Sequence, residues 1–262
     1  SDLTPAKVEL TSIDNGAFIP NNATILPLDV YLNEPAECKW DSLDRDYNVM
    51  NSTFVCVRSG LQQTPIEFGL YKCSTILSGL KRGVNDFFFR CKDQPEQVDE
   101  NLRNINQNSY EYSVVVTSGL QITEIKPKGD VFDVRPVLEV STLQGADNGR
   151  AICGYSTSDI SIINMPIFLE TNSSVHRQPL VNMRAGPYNF FVNCVDEAGN
   201  LASTSTRFNL RQDVSSVSLI ERVYRAGPVF RVQTSENAVC QYAEKFFSFG
   251  DGLEMVGAST KN

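Results

Sequence analysis

Apolar and polar residues alternate along much of the chain. The alternation is clearest in six segments: residues 7–10, 25–32, 120–125, 137–140, 217–220 and 229–233. A period of two is typical of strands that bury one face and expose the other. No segment sustains the apolar stripe of an amphipathic helix over three turns. The pattern therefore predicts an all-β protein.

Part of the sequence repeats. Residues 83–93 align with 186–196, so that in both segments a glycine precedes a cysteine by eight residues and an aspartate follows it by two. A second motif, a cysteine followed two residues later by an aromatic residue and further on by a methionine, occurs three times. Its members are Cys38, Trp40 and Met50, then Cys153, Tyr155 and Met165, then Cys240, Tyr242 and Met255. Three first halves and two second halves indicate tandem domains.

The repeat and the strand pattern together predict tandem immunoglobulin-like β-sandwich domains. A chain of 262 residues accommodates two domains of about 100 residues and part of a third. The expected boundaries are 1–118 for a first domain with inserted loops, 119–213 for a second domain, and 214–262 for a partial third domain.

The alternation also assigns faces to the strands that carry the later cysteines. Phe190 and Val192 share a face with Cys194, as Phe87 and Phe89 do with Cys91. Cysteines from an early and a late strand that both face the core would join two sheets, as in immunoglobulin sandwiches. The predicted disulfides are Cys38–Cys91 and Cys153–Cys194, with Cys56–Cys73 as a staple of the inserted loop.

Cys240 then has no partner, because the third copy ends before a second half of the repeat. The sequence leaves two explanations for the unpaired cysteine. The natural chain continues beyond residue 262, or a strand from another subunit completes the sandwich.

Composition narrows the classes of function. None of the seven cysteines forms a C-x-x-C pair and there is one histidine, which removes the usual zinc and thioredoxin-type sites. Disulfides indicate an oxidising, extracellular location. A net charge of −8 speaks against nucleic acid as a partner, and no apolar run is long enough for membrane insertion. Three glycosylation sequons agree with an extracellular site: Asn22, Asn51 and Asn172.

The assembled motifs resemble a known family. Cys153-Gly-Tyr-Ser, then Phe168, Thr171, His176 and Leu180, then the run from Gly186 to Asn200 are similar to the tandem Ig-like repeats of large archaeal surface proteins, frequent among DPANN-type archaea. The resemblance covers almost the whole chain and implies an exported cell-surface protein of this architecture. In that family the third copy would continue into a second cysteine, which this sequence lacks.

Two features are candidates for a site. Asp196 and Asn200 carry oxygen atoms suited to Ca²⁺, although the hairpin turn that Gly199 or Asn200 favours is the preferred interpretation of this segment. No other cofactor or metal is expected. His176, in a polar stretch interpreted as a loop, is expected to make a structural hydrogen bond rather than to act in catalysis.

Two loop regions of the first domain are further candidates. Residues 94–108 form a long polar insertion, and segments 41–48 and 56–73 supply additional loop material that could lie together. Long loops at the end of a sandwich often bind ligands, but a solvated loop is the preferred interpretation. Phe88 and Phe191 face outward, which suggests contact with a neighbouring domain or subunit.

The sequence is therefore expected to be a structural or adhesive module of a surface filament, stalk or sheath, without enzymatic activity. Its partners would be further copies of itself, another cell-surface protein or a glycan. The alternative is a carbohydrate- or protein-binding module of a secreted protein or enzyme.

Overall fold

A computed structural model describes residues 4–59, 62–65, 67–97, 99–133, 135–211, 219–235 and 237–256. Regular structure in these residues consists of β-strands and short 3-10 helices, which confirms the all-β prediction. The chain divides into two units. The first comprises Ser1–Met183 and Pro187–Asn209, and the second comprises Arg184–Gly186 and Leu210–Asn262. The first unit contains two β-sandwiches, here called domain 1 and domain 2.

Domain 1 is a sandwich of two sheets. One sheet has the strand order β1-β3-β9-β6 and the other β2-β11-β10-β4-β5, with β7 and β8 as a separate hairpin. This is the order of immunoglobulin sandwiches, A-B-E-D facing a sheet that contains G, F and C. Its strands are β1 (Val8–Thr11), β2 (Ala17–Ile19), β3 (Ile25–Leu32), β4 (Ala36–Asp41), β5 (Ser52–Thr53), β6 (Val55–Cys56), β7 (Arg58–Ser59), β8 (Gln62–Gln63), β9 (Tyr71–Ser78), β10 (Gly83–Asp93) and β11 (Tyr110–Val116), and its 3-10 helices are Tyr47–Val49, Glu67–Gly69 and Glu100–Leu102.

The core of domain 1 follows directly from the alternation. Every second residue of β3, from Leu26 to Leu32, is buried, and Phe87 and Phe89 of β10 are buried on the facing sheet. Trp40 packs edge to face against Phe87, with ring centroids 5.5 Å apart. Its indole N–H donates a 2.9 Å hydrogen bond to the Thr75 hydroxyl. The buried aromatic residue thus satisfies its one polar group within the sandwich.

Domain 2 repeats this scheme with fewer strands. Its sheets have the orders β12-β14-β16 and β13-β18-β17-β15. The core aromatic Tyr155 lies edge to face against Phe168 at 5.5 Å. The strands are β12 (Leu120–Lys126), β13 (Gly129–Val131), β14 (Val137–Gln144), β15 (Ala151–Ser156), β16 (Val175–Pro179), β17 (Gly186–Asp196) and β18 (Leu201–Leu210), and the 3-10 helices are Ala146–Gly149 and Ile162–Asn164.

The described part of the second unit contains two two-stranded sheets, β19 (Ile220–Ala226) with β20 (Val229–Thr234), and β21 (Gln241–Tyr242) with β22 (Leu253–Glu254). The strand predicted at 217–220 falls partly outside the described residues. Met255 N–H donates a 2.9 Å hydrogen bond to Cys240 O. The equivalent bonds in the two sandwiches run from Phe54 N–H to Cys38 O and from Phe168 N–H to Cys153 O. Met255 therefore occupies the place of these phenylalanines rather than that of Met50 and Met165.

The described residues include no helix with the length and apolarity needed to cross a lipid bilayer.

Candidate functional site

The six cysteines of domains 1 and 2 form three disulfides: Cys38–Cys91, Cys56–Cys73 and Cys153–Cys194. The pairs are those expected from the sequence, but their placement corrects one part of the prediction. Each bond joins directly opposite residues on neighbouring strands of one sheet, with Cα atoms 3.9 to 4.0 Å apart. They do not bridge the two sheets.

The reason lies in where the first cysteine of each pair falls. Cys38 and Cys153 are on β4 and β15, which lie beside β10 and β17. An inter-sheet disulfide would need the earlier cysteine on β3 or β14, in the opposite sheet. The bonds close spans of 53 and 41 residues, so each is expected to stabilise its domain by about 4 kcal/mol through the unfolded state.

The Asp196–Asn200 segment forms the turn between β17 and β18. Asn200 N–H and its side-chain amide donate to the two carboxylate oxygens of Asp196, both at 2.8 Å. Asp196 N–H donates to Asn200 O at 3.1 Å, and Ala146 N–H donates to the carboxylate at 2.7 Å. Both side chains are buried.

These contacts bear on the calcium hypothesis. The carboxylate of Asp196 faces three N–H donors, which stabilise its negative charge without a cation. The three donors occupy three of the roughly four lone-pair positions of the carboxylate. The contacts therefore favour the turn over calcium coordination.

Domain 1 contains the same arrangement of an aspartate and an asparagine, although the spacing of the two residues in the sequence does not indicate it. Asp93 N–H donates to Asn104 O at 3.0 Å, while the backbone and side-chain N–H groups of Asn104 donate to the Asp93 carboxylate at 2.5 and 2.7 Å. Asn104 is thus the counterpart of Asn200. The inserted loop separates it from Asp93 by eleven residues, so the sequence motif is interrupted.

His176 lies on β16 and is completely buried, with 0% of its surface exposed, so its placement in a loop was wrong. The expected structural hydrogen bonds are present. Nδ1 is 2.8 Å from the Thr171 hydroxyl and Nε2 is 3.0 Å from the Thr142 hydroxyl. The imidazole thereby connects Thr171, which belongs to the repeat motif, with Thr142, which the sequence did not single out.

The partners of the two threonines determine the histidine tautomer. The Thr142 hydroxyl donates to Gly149 O at 2.6 Å, so it accepts from Nε2–H. The Thr171 hydroxyl accepts from Cys153 N–H at 3.0 Å and can donate to Nδ1. A neutral imidazole with its proton on Nε2 satisfies both ring nitrogens. Burial correspondingly lowers the pKa of His176 to about 4.

The His176 ring also lies beside a disulfide. Its nitrogen and the sulfur atoms of Cys153 and Cys194 lie within 4.8 Å of one another, the only such grouping of potential metal ligands among the described residues. The sulfurs are bonded to each other and both ring nitrogens contact hydroxyls. The cluster therefore serves as part of the domain 2 core.

Two arginines hold the candidate loops of domain 1. Arg90 is part of β10, and Arg103 belongs to the 94–108 insertion and pairs with Glu37 of β4. Arg90 donates to Asp44 at 3.1 Å, to Asp46 at 3.2 Å and to Ser109 at 2.9 Å. The Ser109 hydroxyl donates to Asp44 at 2.7 Å, and these hydrogen bonds, from Ser109 and then Arg90, lower the pKa of Asp44. The 41–48 segment is therefore tied to the end of the 94–108 insertion.

Arg103 holds the insertion itself. Its side chain is 5% exposed and donates to Glu37 at 2.9 Å, to Glu100 at 3.2 Å and to Asp93 O at 2.8 Å. Lys92 also pairs with Glu100 and lowers the pKa of this carboxyl group. The described part of the 94–108 insertion is consequently packed onto β4 and β10.

The 56–73 segment begins and ends on the sheet opposite β4 and β10. Cys56 and Cys73 pair on β6 and β9, and the intervening Gln63 is buried. The side chain of Gln63 accepts from Ala36 N–H at 3.0 Å and donates to Ala36 O at 2.7 Å. It thus acts as a substitute for a neighbouring strand at the start of β4.

The remaining predicted residues are on the surface or near it. Asn22, Asn51 and Asn172 are exposed, as an acceptor of a glycan requires. Phe88 and Phe191 are half-buried on the outer faces of their sheets. Cys240 is the free cysteine of the described residues and is partly exposed.

No protein-family model matches the sequence, and no curated protein matches it. Solved structures that match include fibronectin(III)-like modules of Clostridium thermocellum CbhA, with 10% identity, a TM-score of 0.40 and coverage of 79% of this chain and 94% of that chain. A marsupial T cell receptor has 8% identity, a TM-score of 0.44 and coverage of 84% and 77%. Extracellular domains 3–5 of Drosophila OTK have 9% identity, a TM-score of 0.35 and coverage of 78% and 63%.

These similarities are distant. The two sandwiches have the strand order of immunoglobulin-like domains. Their disulfides fit an oxidising environment.

Proposed function

We propose that this chain is a structural or adhesive module of an extracellular cell-surface protein, without catalytic activity, and part of a filament, stalk or sheath. The observation that carries the proposal is the covalent stapling of two tandem sandwiches. A disulfide joins the eleven-residue strand β10 to β4 in domain 1, and another joins the eleven-residue strand β17 to β15 in domain 2. Such bonds prevent strand separation even when a domain opens locally, which suits a module that bears load outside the cell.

Further features support this location and role. The three sequon asparagines are exposed, and the motif resemblance is to archaeal surface proteins built from tandem repeats. The polar groups of the candidate sites have internal roles. His176 binds two threonines, and Arg90 and Arg103 hold loops of their own domain.

Electron microscopy of native cell-surface material, with immunogold labelling of this chain, tests the proposal. We expect label along filaments, stalks or a continuous sheath. Label confined to isolated molecules on the surface would contradict the filament, stalk or sheath role.

A binding module is the second candidate, favoured by the two loops that meet at Asp44 and Ser109. Its ligand would be a glycan or another surface protein that recognises the surface formed by 41–48 and 94–108. Glycan-array screening of the full chain should then give a signal that Arg90→Ala removes, because Arg90 connects the loops. The absence of any signal would reject the glycan version.

A further inference from the structure

The turn of domain 2 that contains Asp196 and Asn200 also contacts domain 1. Asn200 Oδ1 accepts a 2.9 Å hydrogen bond from Asn21 N–H, in the turn between β2 and β3. The Asn200 amide group donates at 2.8 Å to the hydroxyl of Thr117 and at 3.3 Å to Ser118 O, in the segment that connects the domains. One asparagine side chain thus binds two separate segments on the domain 1 side.

The groups around Asn200 form a continuous network. The Thr117 hydroxyl, which accepts from Asn200, donates in turn to Ile19 O at 3.1 Å. On the domain 2 side, Gly145 N–H donates to the Ser118 hydroxyl at 3.2 Å. Asn200 and Thr117 are each 5% exposed. Because the network is shielded from water, loss of one member leaves buried polar groups without partners, which is costly.

We propose that the Asp196–Asn200 pair is the docking element through which domain 2 holds domain 1, and that it sets the relative orientation of the two sandwiches. Asp196 positions Asn200, since its carboxylate binds both the backbone and the side-chain N–H of that residue. The partner it fits is the end of an immunoglobulin-like sandwich that offers a turn N–H and a threonine hydroxyl. This inference stands independently of the proposed surface role.

Domain 1 supplies a matched control within the same chain. The Asp93–Asn104 pair makes the same three hydrogen bonds at the end of β10. The connection to domain 2 follows β11, whose last residue, Val116, pairs with Gly83 at the start of β10. The eleven residues of β10 place these two ends roughly 33 Å apart. Asn104→Ala therefore removes an equivalent pair far from the junction.

The test is NMR on the full chain, with residual dipolar couplings for the orientation of the domains and amide exchange for the contact itself. In the unmodified chain we expect one common alignment for domains 1 and 2. In Asn200→Ala the two domains should align separately, and exchange of the Asn21 amide should rise roughly tenfold through loss of a buried hydrogen bond. Asn104→Ala should keep the common alignment.

A second variant distinguishes loss of the docking contact from a folding defect in domain 2. Asn21 is the second residue of a turn closed by a 3.0 Å hydrogen bond from Ala23 N–H to Pro20 O, a position that suits proline. Asn21→Pro removes the donor to Asn200 and leaves domain 2 unchanged, so it should also separate the two alignments. A common alignment in both Asn200→Ala and Asn21→Pro would overturn the proposal, as would an equal effect of Asn104→Ala.

Discussion

Acidification is expected to destabilise domain 2 through a single side chain, His176. Burial lowers its pKa to about 4, whereas an imidazole in the unfolded chain has a pKa of about 6.5. Between these values the unfolded state binds the proton and the folded state does not. Stability is therefore full above about pH 6.5, falls as the pH drops through this window, and levels off below about pH 4.

The size of the effect follows from the difference between the two pKa values. At pH 4.5 the unfolded histidine is almost completely protonated and the folded one is mostly neutral, which corresponds to a loss of about 2 to 3 kcal/mol relative to pH 7. The structural cause is burial of the imidazole, which disfavours its charged form, while the hydrogen-bond partners of Nδ1 and Nε2 in the described residues are the hydroxyls of Thr171 and Thr142. Protonation of Nδ1 would also abolish its role as acceptor from Thr171.

Two readouts separate this effect from general acid denaturation. His176 is the only histidine, so its imidazole NMR signals titrate without overlap. Amide exchange in domain 2, corrected for intrinsic rates, should show the loss of stability. Trp40 is the only tryptophan and lies in domain 1, so the denaturant midpoint from its fluorescence reports a domain without a histidine. His176→Gln should be less stable at pH 7 and should lack the histidine-dependent slope.

A folded-state titration of His176 with a midpoint near 6.5 would refute the reasoning, since it would mean that burial does not disfavour the charged ring. A difference between the unmodified chain and His176→Gln that does not change between pH 7 and 4.5 would refute it as well.

Two substitutions test other parts of the structure. Gly149→Ala should destabilise domain 2 by about 3 kcal/mol or more, because φ of this residue is +92° and the new Cβ would lie 2.7 Å from the Leu143 Cα. Chemical denaturation monitored by amide exchange should show this loss of stability. A loss below about 1 kcal/mol would contradict the prediction. Arg103→Ala should expose the 94–108 insertion to limited proteolysis, since Glu37, Glu100 and Asp93 O lose their shared donor. Arg45→Ala is the control, because Arg45 makes only a surface pair with Asp41 at 3.7 Å. This variant should be cleaved like the unmodified chain. Equal cleavage of both variants would reject the role given to Arg103.

The alternation of residues predicted the strands well where one face is buried. The segment predicted at 25–32 coincides with β3, and the predicted inward positions of β17 include Phe190 and Val192, which are buried. The short strands at the sheet edges were not predicted. β5 and β6 contain two residues each, which is too short for a period of two to be recognised.

The candidate sites were harder to predict because their partners are distant in sequence. His176 was expected to make a structural hydrogen bond, but its location on β16 was missed, because it is the one buried residue of a short strand whose other residues are exposed or half-buried. The docking role of Asn200 depends on Asn21, 179 residues away. No local motif contains that information.

The sequence by itself determined the all-β class, the tandem repeat and which cysteines occupy corresponding places in it, because these depend on local periodicity and spacing. Only the tertiary structure decided that the disulfides lie within sheets, since this depends on which strands become neighbours. The same applies to Asn200, which could be a turn residue, a calcium ligand or a docking residue by composition alone. Its neighbours Thr117, Ser118 and Asn21 decide between them, and folding alone brings them together.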